Sequence, residues 1–449
     1  MGYRYIPHSE DEVRSMLQRI GLTKIEDLFR DIPEQFRLGR LALPEGKVEA
    51  DVIRQMNDWS KSNLNANDCA IFMGGGVYQH LIPSAIPFLA ERGEFLTAYT
   101  PYQPEVSQGS LQVFFEFQTM ICELTGMEVG NASMYDGASA AAEAVLMACR
   151  IKRKMKFAVS EAIHPEYLEV IRTVAEPMGI EITVFPYNRD TGMTDPEELK
   201  AVLNEDFAGF LAGYPNFFGV IEDIRALREA APDALMVVSV NPIALGVLKA
   251  PGDFGADIVC GEGQPLGGSL YLGGMSLGLL ATKKEYIRNL PGRIIGETKD
   301  IDGHRGFVMV LQTREQHIRR SKATSNICSN HAHNALVATL YLALLGKQGL
   351  KAVALQSTQK AHALHARIER MDRYRPRFSG PIFNEFVVES NVEPEALQKE
   401  LMEQNILGPL PLKRFYRESF YDHLCMFAVT EANRIDDIHF LARRMEEIV

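Results

Sequence analysis

Five short apolar segments constrain the fold of this 449-residue chain most strongly. They are KFAVS (156–160), EITVFPY (181–187), FAGFLAGYP (207–215), ALMVVSV (234–240) and ADIVCG (256–261). They do not alternate between apolar and polar residues, and helical stretches separate most of them. Strands buried on both faces of a parallel sheet have this pattern. We therefore predict an α/β domain with a mostly parallel sheet, whose ligand site lies beyond the carboxyl ends of the strands.

The pattern changes twice along the chain, which favours more than one domain at this length. The predicted parts are a helical N-terminal arm, a large α/β domain and a small C-terminal α/β domain, at residues 1–65, 66–325 and 326–449. In the arm, Ser9 with Glu12 and Thr23 with Glu26 have the spacing of helix capping boxes. The helical stretches after residue 326 are followed by the predicted strands IFNEFVVES (382–390) and LCMFAVTE (424–431).

Charge and composition exclude several classes of protein. The formal net charge of -11 argues against a general nucleic-acid binder, whose surface would be basic. The N-terminus is charged and lacks the apolar core of a signal peptide, and no run reaches the ~20 apolar residues that span a bilayer. Six cysteines without a C-x-x-C motif predict buried free thiols in the cytoplasm. The histidine pairs, His331 with His333 and His362 with His365, lack a third ligand, so no metal is expected.

The stretch TAYTPYQPEVSQG (97–109) places polar side chains on a short, stiff path. Pro101 and Pro104 restrict the residues before them to extended geometry. The polar residues held there are Tyr99, Tyr102, Gln103 and Glu105. Such a loop suits a subunit interface or the wall of an active site, and a structural connection is the alternative.

Two further stretches are rich in small residues. The three glycines of FMGGGVYQHLIPSAI (72–86) allow close backbone approach, and His80 beyond them is either an acid–base group or a hydrogen-bonded structural histidine. MYDGASAAAEAVLMACR (134–150) opens a helix with small residues. Its free N–H groups could bind a phosphate, with Ser139 as a further donor, and close helix packing is the alternative.

The stretch LQTREQHIRRSKATSNIC (311–328) is a dense charged block that includes Arg314. Arg319 and Arg320 are neighbours and cannot share one helical face. We expect one of them to point inward to a carboxylate or phosphate and the other to solvent. A solvated face with salt bridges is the alternative.

Taken in order, these motifs resemble the subunit 1 family of glycine dehydrogenase (decarboxylating), the N-terminal half of the glycine cleavage system P-protein. GGGVYQHLIP, TAYTPYQPEVSQG, YDGASAAAEA and LQTREQHIRRSKATSNIC carry the resemblance, which covers essentially the whole chain. The resemblance implies the aminotransferase-like fold (fold type I) of pyridoxal phosphate (PLP) enzymes. It also implies a heterotetramer of two kinds of subunit, in which subunit 2 carries the PLP.

The resemblance places Gln264 where the PLP-bearing sibling has its lysine, counting back from Gly273 and Gly274. A glutamine amide is not nucleophilic and cannot form an imine. Asn241 likewise stands where a carboxylate would meet the pyridine nitrogen. We therefore expect no covalent cofactor on this chain, and the phosphate prediction for Ser139 becomes weaker.

The activity implied by the resemblance is the decarboxylation of glycine, with transfer of the aminomethyl group to the lipoamide of the lipoylated H-protein. The residues expected to reach the partner's active site are Tyr99, Tyr102, Gln103 and Glu105. Those expected to orient a substrate carboxylate or to brace the interface are His80, Arg314, Arg319 and Arg320. Two alternatives stay open. One is a catalytically silent scaffold; the other is an autonomous PLP enzyme that uses Lys249, Lys299 or Lys322.

Overall fold

The computed structural model of the chain describes residue 5 and residues 7–39, 42–270 and 274–448, so Gly273 lies outside the described residues. The chain forms two compact units, Met1–Leu64 and Asn65–Val449.

The first unit contains the helices α1 (Glu10–Arg19) and α2 (Glu49–Ser60). The predicted capping box of Ser9 and Glu12 is confirmed at the start of α1. The second predicted box is wrong, because Asp27 and not Glu26 accepts hydrogen bonds from the preceding backbone at the start of a short 3-10 helix. Thr23 donates its backbone N–H and its hydroxyl to that same Asp27 carboxylate.

The second unit has fifteen strands and eleven α-helices among its described residues. The strands are β1 (Ala70–Ile71), β2 (Val129–Gly130), β3 (Lys156–Ser160), β4 (Glu181–Phe185), β5 (Phe207–Tyr214), β6 (Leu235–Val240), β7 (Ile258–Glu262), β8 (Gly278–Thr282), β9 (Ile294–Lys299), β10 (Arg305–Val310), β11 (Tyr374–Pro376), β12 (Glu385–Ser390), β13 (Ile406–Leu407), β14 (Leu410–Pro411) and β15 (Leu424–Ala428). The helices are α3 (Ala85–Ala90), α4 (Gly93–Leu96), α5 (Gln108–Thr125), α6 (Gly137–Lys152), α7 (Pro165–Ala175), α8 (Pro196–Val202), α9 (Ile224–Ala230), α10 (Gln316–Arg319), α11 (Ala332–Ile368), α12 (Pro394–Met402) and α13 (Ile435–Glu447).

The largest sheet has seven strands in the order β2-β8-β7-β6-β5-β3-β4. The five predicted strands are β3 to β7, and they are mutually parallel. At one edge, β8 and β2 continue the sheet in antiparallel pairs. The prediction of a mostly parallel α/β sheet is confirmed.

Helices cover both faces of this sheet, which explains the lack of alternation in its strands. Phe210 and Val238 face the core that contains α5 and the first half of α11. Their strand neighbours Leu211 and Val237 face the opposite core, with α6 and α7. Because successive side chains of a strand point to opposite faces, a sheet covered on both sides needs apolar residues throughout.

The last part of the chain forms a four-stranded antiparallel sheet in the order β11-β12-β15-β14. β12 and β15 confirm the two strands predicted there. We keep the domain boundary near residue 325 as a proposal, since two features cross it. Strand β1 pairs with β13, and α11 bends at Gly346 with buried residues in two different cores.

Helix α11 is long and apolar enough to cross a membrane by length and composition alone. The sequence pattern predicts no membrane-spanning run, and a single helix that passes this test is weak evidence against that prediction. Tyr341 in its first half and Leu364 in its second half are fully buried in the protein core. A core helix of a globular protein passes the same test, and the buried residues favour that interpretation of α11.

Candidate functional site

A cavity lies at the carboxyl ends of β3, β5, β6 and β7, where the strand pattern predicts a ligand site. Its volume is about 70 Å³. The polar residues that line it include His164, Asn216, Ser239, Asn241 and Glu262. Among the described residues that line the cavity, none is lysine or arginine.

Gln264 is buried beside this cavity, and every polar atom of its side chain is hydrogen-bonded. Its Nε2 donates to the carbonyl of Tyr78 at 3.0 Å and to that of Gly268 at 2.7 Å. Its Oε1 accepts the backbone N–H of Tyr78 at 3.0 Å. The amide therefore fastens the glycine-rich loop before Tyr78 to the turn after β7, and both of its N–H donors are used within the protein.

Glu262, at the end of β7, accepts three backbone N–H groups. Oε1 accepts those of Gln264 and Leu277 at 2.8 Å each, and Oε2 accepts that of Gly137 at 2.9 Å. Burial raises the pKa of Glu262 to about 7, although the three hydrogen bonds oppose that rise. At the same helix terminus, Ser139 donates its N–H to Asp136 and its hydroxyl to the carbonyl of Asp136.

His164 lies on the cavity wall with both ring nitrogens engaged. Nε2 lies 2.8 Å from the carbonyl of Gly75, and Nδ1 accepts the N–H of Glu166 at 3.2 Å. These partners require a proton on Nε2 and none on Nδ1, and burial lowers the pKa of the ring. The neutral ring stacks on Tyr167, with the ring centroids 5.0 Å apart.

His80 is buried away from this cavity. Its Nδ1 lies 2.7 Å from a carboxylate oxygen of Glu431, whose other oxygen accepts the N–H of Leu81. Burial acts to raise the pKa of Glu431, but the hydrogen bond and the charge of His80 lower it below its usual value. Nε2 of His80 has no hydrogen-bond partner among the described residues. This environment fits the structural alternative for His80, and its role at a substrate site stays a prediction.

The loop 97–109 presents its predicted residues to solvent. Tyr99 is 84% exposed and Tyr102 is 52% exposed, and Gln103 and Glu105 are also exposed. The base of the loop is fixed by Gln108, which exchanges two hydrogen bonds with the backbone of Phe307 in β10, at 2.8 and 2.9 Å. The four polar residues therefore lie on a surface that the fold holds in place.

Tyr102 is the point where several of the sequence motifs meet. The guanidinium of Arg293 lies 5.7 Å from the centre of its ring, and the ring of His317 contacts it edge-on at 6.4 Å. Arg293 is buried and donates to the carbonyl of Cys328 at 3.0 Å and to Asn330 at 3.3 Å. Cys328 is exposed, so the prediction that the cysteines are buried is wrong at this position.

The charged block 311–328 is arranged differently from the prediction. Arg319 and Arg320 are both exposed, so the expectation that one of them points inward is wrong. The inward arginine is Arg314, which donates to the carbonyl oxygens of Leu311 and Gly292, each at 3.0 Å. Burial lowers the pKa of Arg314. Its partners within the described residues are backbone carbonyl groups, and its predicted role in orienting a substrate carboxylate or bracing the interface stays a prediction.

The family model described as glycine cleavage system P-protein matches residues 3–444. The chain belongs to the glycine cleavage system P-protein family. A relative from Thermotoga maritima named probable glycine dehydrogenase (decarboxylating) subunit 1 is 48% identical over 446 residues, which cover 99% of this chain and 100% of the relative. The predicted family and the predicted role as a subunit of this decarboxylating enzyme are confirmed.

Solved structures place this P-protein chain in the predicted fold. Glycine decarboxylase (P-protein) of the glycine cleavage system, in an inhibitor-bound form, superposes with a TM-score of 0.90 at 43% identity and covers 100% of both chains. A C-DES mutant with glycine covalently linked to its PLP cofactor has a TM-score of 0.63 at 14% identity, covering 86% of this chain and 97% of that one. The prediction of fold type I is confirmed. The similarity to the C-DES mutant, at 14% identity, concerns the fold alone.

The residues of this P-protein chain do not fit PLP in the cavity. Gln264 offers no amine, and its amide is held by three hydrogen bonds to the backbone of Tyr78 and Gly268. Two N–H groups that a phosphate could use at the start of α6, those of Gly137 and Ser139, bind the carboxylates of Glu262 and Asp136. We therefore derive no chemical step from a cofactor held by this chain.

The sequence reasoning assigned no role to three residues of this P-protein chain that shape the site. His164 lies in SEAIHPEY, shortly after β3, and Glu262 lies in GEGQPLGG, at the end of β7. A polar residue at the carboxyl end of a parallel strand is a candidate site residue, so the sequence did contain a signal for both. Glu385 gave no such signal. It accepts the N–H of Gly75 at 2.6 Å and the hydroxyl of Tyr78 at 2.7 Å, from 310 residues away in sequence.

Proposed function

We propose that this chain is the subunit of the P-protein that carries no PLP, and that it completes the active site of a PLP-bearing partner, subunit 2. The side chain of Gln264 supports this proposal most directly. A side chain with no amine, fixed by three hydrogen bonds to backbone, stands where the resemblance expects the cofactor lysine. In this proposal glycine and the lipoylated H-protein reach PLP on the partner subunit, and the complex works in the cytoplasm.

Three lysines were candidates for an autonomous PLP enzyme, and their positions do not support it. Lys249, Lys299 and Lys322 are all exposed, and none of them lines the cavity at the carboxyl ends of the strands. The ammonium of Lys249 lies 5.2 Å from the centre of the Phe254 ring. A Schiff-base lysine needs a shielded site that lowers the pKa of its amine, and these surface positions do not offer one.

The contribution of this chain to the partner's site is assigned to the loop 97–109. Tyr99, Tyr102, Gln103 and Glu105 are exposed, although Gln108 fixes the base of the loop. Exposed aromatic side chains on a rigid base are typical of interface residues that become buried on assembly. Tyr102 is the strongest candidate, because Arg293 and His317 hold its ring.

The test is reconstitution with subunit 2, followed by release of CO₂ from carboxyl-labelled glycine. PLP should copurify on the partner. Tyr102→Phe and Glu105→Ala should each lower the rate about tenfold or more while the complex stays assembled. Glu198→Ala, at an exposed position on α8, is the matched control and should leave the rate unchanged.

Two results would contradict the proposal. If both loop variants keep full activity in an intact complex, the loop is not part of the active site. If the variants assemble poorly but the complex that does form turns over at the wild-type rate, this chain is a scaffold and not a contributor to catalysis. Size-exclusion chromatography of each reconstituted sample separates these outcomes from a catalytic defect.

A further inference from the structure

The N-terminus of α6 has the features of an anion site. The residues Asp136, Gly137, Ala138 and Ser139 are small or polar, and the first N–H groups of a helix have no partner within the helix. Together with the helix dipole, such N–H groups favour a bound phosphate. In this chain they face protein carboxylates: Gly137 donates to Glu262 at 2.9 Å and Ser139 donates to Asp136 at 2.7 Å.

We infer that the carboxylate of Glu262 is the resident anion of this site: it occupies the place of a phosphate from within the chain and closes the site to phosphorylated cofactors. The N–H groups of Gly137, Gln264 and Leu277 converge on it from three separate segments. Backbone N–H groups gathered around one anion are the usual environment of a bound phosphate. The inference does not depend on which subunit carries PLP, since it concerns only what this chain can bind.

The space around Glu262 also excludes a phosphate. A Cβ atom added to Gly137 would collide with the hydroxyl of Tyr167 and would lie 2.9 Å from the Cβ of Glu262. The Tyr167 ring is itself held by its stack on His164. The first turn of α6 therefore touches an aromatic hydroxyl and a carboxylate side chain directly.

The charged groups near Glu262 also disfavour a bound phosphate. Asp136 and Glu262 place two carboxylates at one helix terminus, and their interaction helps to raise the pKa of Glu262 beyond the larger effect of burial. No lysine or arginine is found among the described residues that line the cavity. A phosphate dianion would thus meet the carboxyl groups of Asp136 and Glu262, and the described residues that line the cavity offer it no cation, which is unfavourable in a buried site. Loss of the lysine removes the covalent attachment of PLP, and Glu262 separately removes the phosphate subsite.

The test is Glu262→Ala in the full chain, with inorganic phosphate as the probe. The substitution leaves the N–H groups of Gly137, Gln264 and Leu277 without an acceptor and opens space at the helix terminus. Saturating phosphate should raise the Tm of this variant by about 1–3 °C over chloride at equal ionic strength. Wild type should show no such difference, because its site is filled.

Glu385→Ala is the matched control. Glu385 is also a buried carboxylate whose pKa is raised by burial to about 7, and it also accepts a backbone N–H, that of Gly75. It does not lie at the N-terminus of a helix, so phosphate should not stabilise this variant. If Glu262→Ala fails to fold by itself, its refolding yield in phosphate against chloride gives the same comparison. Equal responses of the two variants to phosphate, or no response of Glu262→Ala, would overturn the inference.

Discussion

The hydrogen bonds of Gln264 lead to a quantitative prediction for Gln264→Met. Methionine is similar in size and fits an apolar environment, but it has no amide. The N–H and carbonyl of Tyr78 and the carbonyl of Gly268 would each lose a buried partner. A buried group left unpaired costs about 1–3 kcal/mol, so with partial relaxation the free energy of unfolding should fall by roughly 3–6 kcal/mol.

Urea denaturation followed by far-UV circular dichroism measures this loss. Fluorescence is unsuitable, because the single tryptophan, Trp59, lies in the first unit and not in the unit that contains Gln264. Gln112→Met is the control: Gln112 is exposed on α5 and its amide bonds only to Glu116, at 2.8 Å. Its effect should stay within about 0.5 kcal/mol. A loss below about 1 kcal/mol for Gln264→Met would refute the view that this amide fastens the loop.

Three further predictions concern stability. Burial raises the pKa of Glu385 to about 7, so the folded chain keeps a proton that the unfolded chain releases near pH 4.5. The stability of wild type that comes from this group therefore falls as pH rises from about 4.5 to 7, and over this range Glu385→Gln should become more stable relative to wild type by up to ~3 kcal/mol. Glu431 has a lowered pKa, so Glu431→Gln should lose stability relative to wild type above about pH 4.5 and recover as pH falls below that value. Thermal unfolding followed from pH 8 down to about pH 3 measures both effects, and profiles parallel to wild type over this whole range would contradict the assignment. Gly346→Ala should lower the free energy of unfolding by about 1–3 kcal/mol, because φ is 58° there and no atom lies within 4 Å of an added Cβ, which leaves backbone strain as the cost. Gly93→Ala, with equally open space and no positive φ, should change little, and an equal effect of the two substitutions would argue against strain.

The five parallel strands of the central sheet were predictable because each of them carries its own signal, whereas the antiparallel strands β2 and β8 at its edge were not predicted. Leu211 and Val237 sit in strands that are apolar throughout, and burial on both faces is the physical reason for that composition. The cap of α1 was equally local, since Ser9 and Glu12 are three residues apart. Neither prediction needed any knowledge of tertiary contacts.

The site was less predictable because its contacts join distant segments. Glu385 meets Gly75 across 310 residues of sequence, and no local pattern marks that pairing. The same limit explains the error at Arg319 and Arg320. Helical spacing shows that two neighbours face different directions, but only the packed structure shows that Arg314 is the arginine that turns inward.

The pairing of β1 with β13 has a consequence for how the protein is made. Ala70 and Ile71 leave the ribosome long before Ile406 and Leu407, their neighbours in the finished structure. Until residues 406 and 407 emerge, the short strand keeps an open edge, and Phe72, which is fully buried in the native protein, lacks this neighbour. A nascent chain that stalls before this point exposes an aggregation-prone segment to chaperones and proteases, so synthesis of β13 is the step that protects it.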